Sequence, residues 1–433
     1  MKKEKLQPGH YLWTSESVSA GHPDKICDQI SDALVDHFLA FDAESHCAVE
    51  TMVTTGQIVV AGEVRSEAYV DIQHVARETI NKIGYTNPDY QFDGNSCGVL
   101  CAIHEQSPDI NQGVRRTDEL TEEDNQGAGD QGIMIGYATN ETDNYMPATL
   151  DIAHRIVKTL HEIREEKKVM TYLRPDAKSQ VTIEYDENGR PVKIHTIVVS
   201  TQHDPFMDDE AQMHMKIKLD IANIVLPRVK ASYSEKIQKL FPDNVNDFNL
   251  YVNPTGVFVI GGPHGDTGLT GRKITVDSYG GFGGVGGGCQ SGKDQSKVDR
   301  SGLYMSRYIA KNAVAAGLAE RMMIEISYAI GVADCLSFHA NTYGTAKHGL
   351  TDTEISEKLE TLFDLRPYAI ISDLKLKNPI YFETASYGQV GQEPRIVHKH
   401  FDNKYGEPVD LDVELFTWEK LDAVDRIKEA FGL

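Results

Sequence analysis

Positive charge is in short supply in this chain. Of 433 residues, 65 are Asp or Glu and only 43 are Lys or Arg, a formal net charge of -22 at pH 7. That field repels polyanions, which excludes broad nucleic-acid binding and docking on an acidic membrane surface. A phosphate-bearing ligand is admitted only where cations gather locally or a metal ion intervenes. No stretch approaches the roughly eighteen consecutive apolar residues of a membrane-crossing helix. Met1 to Lys5 is charged and lacks the apolar core of a signal peptide. The expectation is a cytoplasmic protein with no membrane partner. Cysteine is sparse as well: Cys27, Cys47, Cys97, Cys101, Cys289 and Cys335, with no Cys-x-x-Cys pair. Cys97 and Cys101 have no second pair at zinc-like spacing, so six free thiols in a reducing compartment are expected.

What remains is ordinary globular composition, 40% hydrophobic and 25% charged, on a chain long enough for two or three domains with their own cores. Helical and strand patterns alternate, which argues for a mixture of helices and sheets. Ile26, Ile30, Leu34 and Phe38 recur at helical spacing behind Pro23, with His22 as the cap and Asp24 and Lys25 in the first turn. Strand-like runs over Cys47–Thr55 and Gln57–Arg65 flank Gly56. A tight turn at Thr55-Gly56 would set Glu50 opposite Ala61 and Glu63 opposite Ala48, with both carboxylates on one face. A helix pattern runs from Val70 to Ile83 and stops at Gly84. Further helices are marked by Ile152, Ile156 and Leu160 behind Pro147, and by Ile355, Leu359 and Leu362. Asn188-Gly189 marks a hairpin. Long strands are expected near Leu250–Gly261 and Met322–Val332. Glu105–Asp130 reads as a long polar loop, and Gln389–Val413, rich in His, Lys, Asp and Glu, as a surface insertion.

The richest segment for chemistry is Gly261–Gly302. Arg272, Lys273, Lys293, Lys297 and Arg300 stand there among glycines, near Asp266, Asp294 and Asp299. Glycine N–H groups cradle phosphate oxygens, lysines neutralise them, and a carboxylate-held metal completes a polyphosphate site. The alternative is a flexible surface loop with solvated charges. Gly287–Lys293 also fits the Gly-x-x-x-x-Gly-Lys loop of nucleotide triphosphatases, but Asp294 stands where Ser or Thr should hold magnesium. In Gly21-His22-Pro23-Asp24-Lys25, a helix start attracts anions; His22 can donate to a leaving oxygen, Asp24 hold a cation and Lys25 neutralise phosphate. The alternative is a plain helix start. Glu50 and Glu63 lie in apolar strands, where they either meet a cation or face solvent.

These strings resemble the S-adenosylmethionine synthetases. The resemblance is carried by Gly21 to Lys25, by Gly127-Ala128-Gly129-Asp130-Gln131-Gly132 and by Gly286 through Asp299. Arg174 through Gln180, Asn253-Pro254-Thr255-Gly256 and Gly268 through Lys273 fit too. The match runs from about residue 11 to about 390 and resumes near Trp418-Glu419-Lys420. It implies an α+β fold of three domains with pseudo-three-fold symmetry, each a sheet with helices on its outer face. Their bounds would be 11–110, 127–261 and 262–433, with the insertion near 389–413. It implies a homo-oligomer, a tetramer built as a dimer of dimers, with active sites between subunits. It implies ATP and L-methionine as substrates and, per site, two magnesium ions and one potassium ion.

In the implied reaction, methionine sulfur attacks the ribose C5′ of ATP and expels triphosphate, which is hydrolysed to pyrophosphate and phosphate. The thioether has no proton to lose, so no Ser-His-Asp arrangement is needed, and none is found. The barrier lies in charge on the leaving triphosphate. By the same resemblance, His22 stabilises the leaving oxygen, and Asp24 and Asp299 hold magnesium. Lys178, Arg272, Lys273, Lys293 and Lys297 contact phosphate, and Lys297 also reaches toward methionine. Glu50 binds potassium. Glu63 receives the methionine ammonium beside Gln106, while Asp176, Phe258 and Asp266 surround adenosine and methionine. The Glu105–Asp130 loop would be a mobile gate. The chain departs from the family pattern at Val285 and Gln290, where His and Phe are frequent, at Gln295, where Pro is common, and at Val257 before Phe258, where Arg or Lys is frequent. A loop-type ATPase or kinase and a non-catalytic nucleotide-binding regulator are the rival readings.

Overall fold

A computed structural model describes residues 6–106, 126–244 and 247–433. Residues 107–125 of the expected Glu105–Asp130 gate lie outside the described residues.

Three sheets, each carrying a long helix on one face, organise the described residues. In the first sheet, β2 (His46–Thr54) and β3 (Gln57–Arg65) form the expected hairpin, with Glu50 opposite Ala61 and Ala48 opposite Glu63. Alternation decides the faces: Cys47, Val49, Thr51, Val53, Ile58 and Val60 are buried, while Glu50 is exposed. Helix α1 (Pro23–Phe41) covers the buried face with Ile26, Ile30 and Leu34. Beyond β3 lies β4 (Gly98–Glu105), reached through α2 (Ile72–Ile83), which ends at Gly84 with φ 110°, a conformation that favours glycine.

The second sheet runs β1-β6-β7-β8, from β1 (Tyr11–Val18), β6 (Leu173–Tyr185), β7 (Pro191–His203) and β8 (Asn249–Val252), under helix α3 (Ala148–Glu166). The Asn188-Gly189 hairpin joins β6 to β7 as expected. The third sheet runs β11-β10-β5, from β5 (Gly132–Thr139), β10 (Arg321–Tyr328) and β11 (Ser337–Asn341), under helix α4 (Val298–Ala315).

Two strands are shorter than expected. β8 stops at Val252 because Asn253 takes a positive φ of 39° and ties its side chain to the N–H and C=O of Thr201 at 2.8 and 3.1 Å. β10 stops at Tyr328, short of Val332, and Gly331 beyond it has φ 73°. The segment read as an insertion is also more integrated at its start. Gln389 is buried, accepts from Tyr304 Oη at 2.5 Å and receives Trp418 Nε1 at its carbonyl at 3.0 Å. The outlying part is a hairpin of β12 (Arg395–Phe401) and β13 (Val409–Leu415).

The sheets interlock along the chain. β1 joins β6, β5 joins β10, and β9 (Gly268–Leu269) joins β2. The last of these pairings brings the lysine-rich segment to the edge of the first sheet, beside the start of α1.

Candidate active site

Pro23 fixes the first helical turn of α1, and His22 caps it from an extended conformation, accepting the Asp24 N–H on Nδ1 at 3.2 Å. That bond assigns the ring proton to Nε2. His22 is 2% exposed. Burial, then the charges of Lys273 and Lys178, push its pKa down to about 3, so the ring is neutral near pH 7. Asp24 accepts the Leu269 N–H at 3.0 Å and pairs with Lys273, with Arg272 Nε at 3.7 Å. Burial works against its charge, but Lys273 and that N–H outweigh it and hold the carboxyl below its ordinary value.

Two cations expected at phosphate are committed elsewhere. Lys25 is buried and donates to Asp28 at 2.9 Å and Asp277 at 2.5 Å. Arg300 is buried on Asp32 through two bonds of 2.7 and 2.9 Å and lies over the Tyr381 ring. Fully buried cations require carboxylates, and α1 supplies them on one face. Asp24, Asp28, Asp32 and Asp36 recur every four residues on that helix. That stripe in an otherwise apolar helix was a signal in the sequence for three residues not singled out there, Asp28, Asp32 and Asp36.

The glycine loop is pinned rather than free. Gly292 N–H donates to Asp32 Oδ1 at 2.8 Å, and a Cβ at that position would stand 2.0 Å from the Val49 carbonyl oxygen. Arg300 Nη1 donates to the Lys293 carbonyl at 2.9 Å. Asp294 turns into the core, accepting the N–H groups of Cys47 and Ser296 at 2.7 and 2.8 Å and pairing with Lys297. It therefore cannot stand in for the Ser or Thr of a triphosphatase loop. Lys293 pairs with Asp299, 8% exposed at the start of α4. The segments that carry them touch at one point: a Cβ on Gly271, next to Arg272, would lie 2.6 Å from Cys289 Cβ, and Lys293 and Asp299 both act on the Cys289 thiol.

Lys178 is exposed on β6, close enough to bear on the His22 ring. Asp176 is buried beside it, accepts the Gly262 N–H at 2.9 Å on one oxygen and leaves the other without a partner. Burial pushes it up to about 6, against Lys178 and with Asp266 adding to the rise. Asp266 itself is exposed on the turn after Gly262, and the Phe258 N–H donates to His203 Nε2 at 3.0 Å. Of the departures noted, Gln290 is buried with its Oε1 unpartnered, and Val285 is exposed.

Glu50 is exposed on the outer face of β2, near the Cys289 thiol. Glu63 meets His104 Nε2 at 3.4 Å, and Gln106 is half-buried just past β4. Among the described residues, no hydrogen bond or ion pair joins Glu63 or Gln106 to the His22–Lys273 group. No three His, Cys, Asp or Glu side chains among them converge into a metal cage. No helix among them is long and apolar enough to cross a membrane.

A three-domain α+β protein with a neutral donor at a helix start among lysines, and a pinned glycine loop edged by further lysines, is equipped to take up charge from a polyanion. Three models of S-adenosylmethionine synthetase match the chain in order: the N-terminal domain over residues 10–108, the central domain over 125–258 and the C-terminal domain over 260–401. An S-adenosylmethionine synthase of Phocaeicola vulgatus is 62% identical, covering 98% of this chain and 100% of the relative. Relatives of the same name from Bacteroides thetaiotaomicron, at 61%, and Cytophaga hutchinsonii, at 59%, also cover 98% of this chain, and 100% and 99% of their own lengths. The chain belongs to the S-adenosylmethionine synthetase family.

Proposed function

We propose that this chain, a methionine adenosyltransferase that makes S-adenosylmethionine from ATP and methionine, works by gathering positive charge around the leaving triphosphate. The observation that carries this reading is His22: neutral, buried, its Nδ1 occupied and its Nε2–H free to donate, between Lys178 and the Asp24–Lys273 pair. Methionine sulfur displaces the triphosphate at C5′ without giving up a proton. The chain therefore has no base to supply, and its work is electrostatic. Nε2–H of His22 donates to the oxygen that leaves carbon. Lys178, Arg272, Lys273, Lys293 and Lys297 neutralise the phosphates, and the same cations hold triphosphate for hydrolysis to pyrophosphate and phosphate. Asp176, Phe258 and Asp266 hold adenosine and methionine, with Glu63 taking the ammonium group and Gln106 beside it.

Asp24 and Asp299 fit magnesium shared with substrate. Such ions keep phosphate oxygens and waters and need only one or two carboxylates, which agrees with single aspartates rather than a protein cage. When bound, two magnesium ions and a potassium ion at Glu50 supply further positive charge where the triphosphate develops negative charge. With magnesium held by those carboxylates, Lys273 and Lys293, now paired with Asp24 and Asp299, would be available to phosphate.

Glu63 and Gln106 reach the His22 group from a second copy. Supporting this, the outer sheet faces carry exposed Leu100 and Ile133, 60% and 50% accessible, in a single chain. The expected assembly is a homotetramer of two dimers. Six free cysteines, three of them buried, fit the cytoplasm.

The chain is incubated with ATP, magnesium and potassium, with and without methionine, and products are identified by mass. S-adenosylmethionine, pyrophosphate and phosphate are expected only with methionine. Phosphate release without methionine would make it an ATPase, and binding without turnover a regulator.

A further inference from the structure

A cavity of about 900 Å³ opens between α3 and residues 387–395, and it contains none of the groups assigned above to ATP or methionine. Five cations line it; Lys311 is spent on Glu419 and Lys420 on Glu414, which leaves three, Arg155 and Lys158 from one face of α3 and Arg395, which opens the β12–β13 hairpin. None of the three makes an ion pair among the described residues. Arg395 only donates to the Glu393 carbonyl at 3.3 Å and lies over the Phe416 ring. Burial, and then the neighbouring charges of Arg155 and Arg395, hold the Lys158 ammonium below its ordinary pKa, against the pull of Glu162 and Glu393.

The carboxylates on the same walls do little to relieve this. Glu419 is taken by Arg307 at 3.0 Å and Lys311 at 2.8 Å. Asp151 is half-buried and accepts Asn144 Nδ2 at 2.7 Å, and desolvation raises its pKa against the pull of Asn144 and Arg155. Asp143 and Glu393 remain as opposing charges. Holding three like charges together while one loses its water costs free energy, which an anion placed among them recovers. In a chain of net charge -22 this is a local reversal of sign, as an anion site requires.

We propose that this cavity is a second anion site, taking a small phosphate-bearing molecule on Arg155, Lys158 and Arg395. Two of its lining side chains bond to the β1–α1 segment. Tyr387 Oη accepts the Ala20 N–H at 3.4 Å, two residues before His22, and His154 bonds Ser17 Oγ at 2.7 Å. An occupant is therefore separated from the segment that sets the His22 cap by Tyr387 and His154, and the β12–β13 hairpin contributes one of its ligands.

The site does not depend on the reaction proposed above, and the test separates the two. Inorganic pyrophosphate is titrated calorimetrically into the full chain, into Lys273→Ala/Lys293→Ala, and into Arg155→Gln/Lys158→Gln. The parent is expected to bind two per chain. The first variant keeps the site lined by Arg155, and the second loses it, with binding there at least tenfold weaker. Arg395→Glu, a surface change that leaves α3 intact, weakens the same site. Parent-like stoichiometry and affinity in both Arg155→Gln/Lys158→Gln and Arg395→Glu overturn the proposal. So does a complete loss of pyrophosphate binding in Lys273→Ala/Lys293→Ala. Methionine-dependent turnover without added pyrophosphate checks that the α3 variants fold.

Discussion

At the scale of single residues, the histidine cap has consequences that pH can reveal. His22 titrates at about 3 when folded, against 6.5 for an ordinary imidazole. Between those values the unfolded chain binds one more proton. Stability from keeping the ring neutral is therefore complete above pH 6.5 and is lost as pH falls toward 3, at up to about 1.4 kcal/mol per unit. His22→Asn cannot take up that proton. Between pH 7.5 and pH 5 it is expected to lose about 2 kcal/mol less stability than the parent in urea unfolding. Parallel stability curves would mean that the ring titrates normally. Lys293 tests the phosphate side. Lys293→Ala is expected to lower kcat about a hundredfold, from about 3 kcal/mol of lost transition-state stabilisation. Near-parent kcat would remove Lys293 from the phosphate group. Several of these placements were legible in the sequence because residue type and spacing carry them: a proline after His22, an aspartate after that, lysines among glycines. The fates of Lys25 and Arg300 were not. Which cation meets ligand and which is spent on the core depends on Asp32 and Asp277, which come from elsewhere in the chain.

At the scale of elements, local patterns spoke clearly wherever one hydrogen-bonded partner was close in sequence. The β2–β3 register followed from a single turn residue, and the α2 terminus from Gly84. The early end of β8 did not, because it rests on Asn253 bonding to Thr201, a contact between segments. Helix α1 shows what such contacts build: its four aspartates hold Lys273, Lys25, Arg300 and Lys399 in turn. The last of these fastens the β12–β13 hairpin, since the half-buried Lys399 pairs with Asp36 at 2.8 Å and Glu383 at 2.6 Å. Lys399→Ala leaves two carboxylates without their cation and is expected to cost about 3 kcal/mol in chemical unfolding. Asp36 keeps the Tyr381 and Phe382 N–H groups, so the fold survives. A cost under about 0.5 kcal/mol would show the pair to be solvated. On the neighbouring strand, Glu50→Gln keeps the β2 geometry while removing the charge. Loss of activation by potassium is expected in steady-state assays, and an unchanged potassium response would reject the ligand role.

At the scale of the whole molecule, the interlocking of three sheets was beyond reach of periodicity, since β1, β5 and β9 each pair with strands far along the chain. The same interlocking explains why His22, Arg272 and Lys273 gather on Asp24 within one chain, while Glu63 on β3 and Gln106 past β4 make no bond to that group among the described residues. If a second copy brings them together, each site takes His22 from one subunit and Glu63 from the other, and the two defects should complement. Chains carrying His22→Asn and chains carrying Glu63→Gln, each nearly inactive alone, are co-expressed. Random pairing in equal amounts makes half the dimers mixed. In a mixed dimer one site collects both substitutions and the other collects neither. Activity should therefore return to about a quarter of the parent value, whether the dimers stand alone or pair into tetramers. Sites contained within single chains give no such recovery, because every chain in the mixture carries one defect. The control is Leu100→Glu, which places a charge on the outer face of β4 and should abolish both the recovery and the dimer in sedimentation. Recovery that persists in a Leu100→Glu background would place the contact on another face.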